Sequence, residues 1–254
     1  MLADSPSGLQ LTEIATRLEL APSTLHRILG ALSPHKLVYQ GADRRYRIGP
    51  GIVHLAQAFQ RQNPVVAVSR PVLDRVSHEL EESVFLSELI GNDVVCVATA
   101  EAPRLLTYYM RISERTPYHA SASARAILAF LPPERIAERL ATEPLTGFTD
   151  RTPTTIDAIM RVLTDVRECG YATCDEEMEI GVVALAAPIF DGFGQPTAAL
   201  TVVAPADRLP STTRARPVEV LLHGAAEISR GLGFEARRPA GAVAHKVSNS
   251  DEKG

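Results

Sequence analysis

The residue types best able to do chemistry gather in two stretches of this 254-residue chain. Asp175, Glu176, Glu177 and Glu179 form an acidic run, with Cys169 and Cys174 just before it. Carboxylates and thiols at that density could hold a metal or move protons. A zinc site, however, needs a second ligand pair or a close histidine, and neither is present. No glycine-rich phosphate loop and no G-x-S-x-G elbow occurs. In a loop ahead of a strand, the acidic run reads as a solvated turn, and His119 as a hydrogen-bonded structural histidine rather than a base. No catalysis, metal or cofactor is expected. The second stretch, residues 17–50, holds Arg17, Arg27, Lys36, Arg44, Arg45 and Arg47 against Glu19 and Asp43, a net charge of +4, while the whole chain carries −4. A small basic module on an acidic body fits a protein of which one part meets a polyanion.

These residues need elements to aim them. Thr12 can cap a short helix that carries Ile14, Ala15 and Leu18 on one face and runs to about Glu19, with Glu13 at its positive end. After a tight turn, Pro22 opens a second helix with Leu25, Ile28, Leu29 and Leu32 at i, i+3, i+4, i+7 spacing. The rest of that helix presents Ser23, Thr24 and Arg27, with His26 to one side. Leu37 and Val38, the turn residues Gly41 to Asp43, and Tyr46 with Ile48 read as a hairpin bearing Arg44, Arg45 and Arg47. Helix, turn, helix and basic hairpin in this order make a winged helix-turn-helix whose second helix enters the major groove of DNA.

A Gly-Pro-Gly break, Gly49 to Gly51, ends this module, and Ile52, Leu55, Ala56 and Phe59 mark a linker helix that stops before Pro64. A helix begun by Pro71 follows, with Val72, Leu73, Val76 and Leu80 at helical spacing. Val84 to Ile90 and Val94 to Ala100 flank Gly91-Asn92-Asp93, a hairpin with an Asn-Asp turn. Leu105 to Met110 reads as a further strand, then Ser123 to Leu131, Pro133 to Leu140 and Ile156 to about Gly170 as helices. Val182 to Phe190 and Thr197 to Ala204 are strands joined at Asp191-Gly192-Phe193-Gly194, and Val218 to Leu232 is a closing helix. The second domain is therefore α+β, with antiparallel hairpins and its helices to one side. The expected boundaries are 1–50 for the DNA-binding domain, 51–66 for the linker helix, 67–237 for the second domain and 238–254 for a disordered tail.

The composition, 45% apolar and 22% charged, is that of a soluble globular protein. The longest apolar run, Val182 to Phe190, is about half of what a membrane-spanning helix needs, so no membrane partner is expected. Asp4 and Pro6 stand where a signal peptide would place basic and apolar residues, and the chain has three cysteines. Both features point to the cytoplasm.

Several blocks together resemble the isocitrate lyase regulator (IclR) family of bacterial transcription factors. They are Leu11-Thr12-Glu13-Ile14-Ala15 with Ser23-Thr24-Leu25-His26-Arg27-Ile28-Leu29; Tyr46-Arg47-Ile48-Gly49-Pro50; His119-Ala120-Ser121 through Ala126-Ile127-Leu128; and Glu179-Ile180-Gly181 followed by Ala186-Ala187-Pro188-Ile189-Phe190. The resemblance implies a winged helix-turn-helix, a linker helix and an effector-binding domain of GAF-like fold, assembled as dimers or dimers of dimers. It also implies an effector site at Ala122 and Ser123, at Cys174 or Asp175, and at Ala184, Thr201 and Val203. Ala124-Arg125 stands where the family often has Gly-Lys, and several of these positions are apolar. Both departures favour a larger, partly apolar or aromatic organic acid over a tiny dicarboxylate. Family members usually carry a full helix before the Leu11 segment, where this sequence has only Met1-Leu2-Ala3 and a loop. An upstream start codon is the expected reason, since Leu18, Ile28 and Leu32 would otherwise lack cover.

DNA affinity is then expected from phosphate contacts by Arg44, Arg45 and Arg47, with Tyr46 packed behind the wing. Specificity is expected from Ser23, Thr24, His26 and above all Arg27 at base edges or neighbouring phosphates. One module offers few contacts, so two or more copies should pair on a pseudo-palindromic double-stranded operator. The rival readings are an enzyme of GAF-like fold and a small-molecule sensor without productive DNA binding.

Overall fold

The computed structural model describes residues 1–102, 112–113 and 115–235. The strand expected at Leu105 to Met110 and the tail from 238 lie outside the described residues. The chain divides into two units, Met1–Ala67 and Val68–Gly254.

The first unit holds α1 (Leu11–Arg17), α2 (Pro22–Leu32), β1 (Val38–Gln40), β2 (Tyr46–Ile48) and α3 (Gly51–Gln62). Its core is formed by Leu9, Ile14, Ala15, Leu25, Leu29, Val38 and Tyr46. The α1 helix begins two residues earlier than a Thr12 cap would have it. Gln10 is the N-cap, and the Glu13 carboxylate reaches back to accept its backbone N–H at 2.6 Å. Pro22 is the first residue of α2, where its missing N–H costs nothing.

α4 (Pro64–Leu80) crosses from one unit to the other. It starts at Pro64 rather than Pro71, because the Asn63 side-chain oxygen accepts the Val66 N–H at 3.1 Å and makes a helix start there. Pro71 is consequently interior. It offers no N–H to the Ala67 carbonyl, so a rung of the helix is missing at the residue where the two units divide.

The second unit is built on β3 (Ser83–Ile90), β4 (Asp93–Ala100), β5 (Ala172–Asp175), β6 (Val182–Phe190) and β7 (Pro196–Pro205). They form an antiparallel sheet in the order β4-β3-β7-β6-β5. The β3–β4 turn is centred on Gly91-Asn92 rather than Asn-Asp. Ile90 pairs with Asp93, and Gly91 takes a φ of 61°, as a glycine-led two-residue turn requires. β5 was not anticipated; it is four residues long and has only Ala172 and Cys174 as buried alternation.

The helices are α5 (Ala122–Leu128), α6 (Pro133–Leu140), α7 (Ile156–Cys169) and α8 (Ala215–Gly231). They cover both faces of the sheet, not one. α5 and α7 share a core with Ala172, Cys174, Ala186 and Ala199, whereas α8 packs on the opposite side. There, a Cβ on Gly224 would stand 3.0 Å from Leu200 and 3.2 Å from Val72 and Val76, so a side chain at 224 would have to push these neighbours by a few tenths of an ångström. The reason for two covered faces lies in β6 and β7, whose apolar residues run on without alternation. A strand of that kind must be buried on both sides. Among the described residues, no helix is long and apolar enough to cross a membrane.

Candidate DNA-binding surface and effector pocket

In the first unit, Leu25 and Leu29 fix one side of α2 in the core, leaving Ser23, His26 and Arg27 exposed and Thr24 half-buried. The Arg27 side chain has no hydrogen bond or ion pair among the described residues, and neither do those of Arg17, Lys36 and Arg44. The hairpin arginines divide. Arg45 donates to the Gly8 carbonyl at 2.9 Å and to Glu13 at 3.2 Å. Arg47 grips Asp43 through both carboxylate oxygens, at 3.0 and 2.6 Å, and donates to the Ser7 carbonyl at 2.9 Å. The Arg47 guanidinium, helped by the Arg45 backbone N–H, holds the Asp43 carboxyl well below the usual carboxylate range.

Arg45 and Arg47 therefore tie the chain before α1 to the hairpin, beside a bridge between Leu9 and Tyr46. Sequence reasoning missed this use, since the carbonyls concerned lie 37 and 40 residues away. Of the three, Arg44 alone is left unengaged among the described residues. It holds the left-handed position, φ 59°, of the turn that Gly41 begins. Tyr46 is buried behind the hairpin.

In the second unit, Ser121, Ala122, Ser123, Cys174, Met178, Glu179, Val182, Ala184, Thr201 and Val203 enclose a cavity of about 40 Å³. Strand register explains the grouping. Cys174 pairs with Ala184, Ala184 with Val203, and Ala186 with Thr201, so these side chains share the face that α5 covers. The Ser121 and Ser123 hydroxyls bond each other at 2.8 Å. The Thr201 hydroxyl is buried with no partner among the described residues. Burial, reinforced by the nearby Glu177 charge, pushes the Cys174 thiol upward.

Between Cys174 and Asp175, the cavity takes Cys174. Alternation along β5 turns Asp175 away, and its carboxylate pairs with Arg214 at 3.0 Å. Ser121 and Glu179 belong to two of the blocks that carry the family resemblance, whereas Met178 and Val182 went unforeseen; Met178 and Glu179 lie in a loop whose path no periodicity announces. That loop is pinned by Arg125, which is fully buried. The Arg125 guanidinium donates to the His119 carbonyl, to the Thr173 carbonyl at 3.0 Å and to the Glu177 carboxylate. Thr152 and Thr149 hydroxyls donate to the Glu177 and Glu176 carbonyls. Glu176 also pairs with Arg151 at 2.6 Å.

The acidic run is thus largely consumed by arginines. His119 is buried, donates from Nε2 to the Thr146 carbonyl at 2.8 Å and stacks on Phe148.

Residues 57–230 match the family model described as the bacterial transcriptional regulator IclR C-terminal domain, and residues 1–42 match the IclR helix-turn-helix domain. The chain belongs to the IclR family. Among its relatives, the HTH-type transcriptional regulator BhcR of Paracoccus denitrificans is 33% identical over 236 residues, which cover 92% of this chain and 84% of that one. The IclR of Thermotoga maritima superposes with a TM-score of 0.78 at 26% identity, covering 92% of this chain and 94% of that one. An IclR homologue from Microbacterium hydrocarbonoxydans, solved with 4-hydroxybenzoate, gives 0.75 at 26% identity over 88% and 91% of the chains. This IclR-type protein is accordingly a DNA-binding transcriptional regulator with an α+β effector domain.

Proposed function

We propose that this IclR-type regulator reads a pseudo-palindromic operator with α2 and the hairpin, and that a small organic effector in the second unit alters that binding. The observation that carries the proposal is the α2 surface, where Ser23, His26 and Arg27 are free of the core and Arg27 is unpaired among the described residues. Arg27 is the base reader or near-base phosphate contact; Arg44, Arg17 and Lys36, whose side chains are unengaged among the described residues, supply phosphate contacts. Arg45 and Arg47 act chiefly by holding the hairpin in place.

Pairing of copies is supported by α3. It buries none of its residues, and Ile52, Leu55 and Phe59 are 40%, 51% and 41% exposed along one side. An amphipathic helix with that side unburied is suited to packing against its counterpart in a second copy.

The effector site is the cavity under α5. Ala122, Ser123, Cys174, Ala184, Thr201 and Val203 supply mostly apolar walls, with the Thr201 hydroxyl awaiting a partner. A cavity of about 150 Å³ accommodates benzene. At about 40 Å³ the closed cavity is smaller. A partly apolar or aromatic acid, a class to which the 4-hydroxybenzoate held by the Microbacterium homologue belongs, enters only when the Met178–Glu179 segment moves. That movement is the differential interaction by which an effector selects a conformation.

Fluorescence anisotropy on DNA flanking the gene, at two salt concentrations with random DNA as competitor, tests the proposal. Selective binding that steepens at low salt, and that falls at least about tenfold in Arg27→Ala, is expected. Equal affinity for random DNA would refute operator recognition. Thermal shifts with aromatic and short hydrophilic acids test the effector class, which fails when only the short acids raise Tm.

A further inference from the structure

The hairpin of the first unit carries an ion pair on the surface that is to meet the DNA backbone. No acid but Asp43 occurs between Glu19 and Asp74, and it stands among Arg44, Arg45 and Arg47. The Arg47 guanidinium donates to both of its carboxylate oxygens, at 3.0 and 2.6 Å. The pair lies open to solvent, with the Asp43 side chain 46% and the Arg47 side chain 28% exposed. An anion that takes an arginine fork through two oxygens has the geometry of a phosphate contact. Arg47 is thus occupied by an anion of its own chain.

Gly41 makes room for this pair. It is not among the glycines with a left-handed φ, so the turn does not need glycine for its backbone. A Cβ at position 41 would instead fall on the Arg47 guanidinium and stand 2.7 Å from the Asp43 carboxylate oxygen. Both are far ends of flexible side chains, which can part where backbone could not. The turn itself is held by other bonds. The Gly41 N–H donates to the Arg45 carbonyl at 2.9 Å, the Arg44 N–H to the Gly41 carbonyl at 3.0 Å, and the Gln40 side chain to the Arg44 carbonyl at 3.1 Å.

We propose that Asp43 is an internal substitute for a DNA phosphate, which competes for Arg47 and so lowers the affinity of the hairpin for every duplex. The proposal rests on DNA binding by the first unit. When DNA arrives, Arg47 exchanges the Asp43 carboxylate for a phosphate oxygen, while its bond to the Ser7 carbonyl and the Arg45 bonds to Gly8 and Glu13 keep the hairpin in place. The exchange costs the same at any sequence, because phosphates carry no sequence information. It therefore trims the unselective part of binding and leaves the base contacts of α2 a larger share of the whole.

Fluorescence anisotropy of the full chain on a random-sequence duplex, at about 0.15 M salt where charges beyond about 8 Å are largely screened, tests this. Two variants release Arg47 by different means. Asp43→Asn removes the charge but keeps an oxygen for the Arg45 N–H, and Gly41→Ala keeps every charge while its methyl group parts the pair. Each should raise affinity by about fivefold, the upper end for an exposed ion pair. In an Arg47→Met background neither should change it by more than about twofold, because no fork is left to release. Circular dichroism melting shows that each variant is folded. A pair that only braces the hairpin predicts the opposite sign, since a loosened hairpin binds more weakly. Unchanged or lower affinity in both folded variants, or a gain that persists in Arg47→Met, would overturn the proposal alone. A parent chain that binds no duplex would overturn DNA recognition and the proposal together.

Discussion

Arg125→Met should cost about 4 kcal/mol, and the structure says why. Its guanidinium has no exposed surface, and the partner carboxylate of Glu177 is only 15% exposed. Removing the cation strands that carboxylate and the carbonyls of His119 and Thr173 together. Breaking a buried pair by deleting one partner costs about 3 to 5 kcal/mol. Glu177→Gln alone keeps both carbonyl bonds and should cost less, about 2 kcal/mol. With both changes the stranded charge is gone, so the double variant should be destabilised by about 2 kcal/mol less than the sum. Arg125→Lys should recover only part, because a single ammonium cannot serve three acceptors set around a planar fork. Urea titration followed by circular dichroism, with the second unit's transition fitted separately, measures each term. Because Glu177 anchors the segment that closes the cavity, Arg125→Met should also alter effector affinity. Additive single effects, within about 0.5 kcal/mol, would show that Glu177 is solvated and the latch does not exist.

Arg44→Gly relieves a left-handed residue while deleting a free cation. Stability to urea should rise by up to about 1 kcal/mol, while operator affinity falls and the slope of log K against log salt shrinks by about 0.9. Thr201→Val removes a hydroxyl that has no partner among the described residues, so the unliganded protein should keep or gain stability, by at most about 1 kcal/mol. Calorimetric titration should nonetheless show effector binding about tenfold weaker. Tyr118→Phe deletes another buried hydroxyl without a partner among the described residues and should be neutral or stabilising at pH 7. Burial raises the Tyr118 and Cys174 groups above their ordinary values of 10.0 and 9.0. Each prefers its proton more in the folded state than in the unfolded one. Their contribution is therefore whole below those values and lost as pH rises through and beyond them. Urea midpoints should hold up to about pH 8.5 and fall above pH 9, less steeply in Tyr118→Phe combined with Cys174→Ala.

What the sequence made legible followed from regular spacing. The i, i+3, i+4, i+7 run of α2 located its buried side at Leu25 and Leu29, and by subtraction its exposed residues Ser23, His26 and Arg27. The effector positions came instead from the family resemblance, and strand register is what brings Cys174, Ala184, Thr201 and Val203 to one cavity that Ala122 and Ser123 also line. What failed was whatever depends on contacts between distant residues. β5 is short, and the sheet's register with β6, rather than its own pattern, makes it a strand. The resemblance left Cys174 and Asp175 as alternatives, and neighbours along a strand face opposite ways, so only one of them could line the cavity. The helices were expected on one side, although the unbroken apolar runs of β6 and β7 already demanded cover on both.

The arginines show why residue type alone does not assign a role. In the hairpin, Arg45 and Arg47 spend their donors on Glu13, Asp43 and backbone carbonyls, and in the effector unit Arg125 does the same with Glu177. Such pairing removes no charge from the first unit; Asp43 is already counted in the +4 of residues 17–50, and Glu13 lies just outside that stretch. The field that draws the basic unit to a polyanion is thus set by composition. Contact at the phosphates is set by geometry, which leaves Arg27, Arg44, Arg17 and Lys36 unengaged among the described residues. Charge counting could find the DNA-binding unit but not the side chains within it that are free to bind. The partners that decide this lie across the fold: Gly8 and Ser7 for the wing, Glu177 for α5.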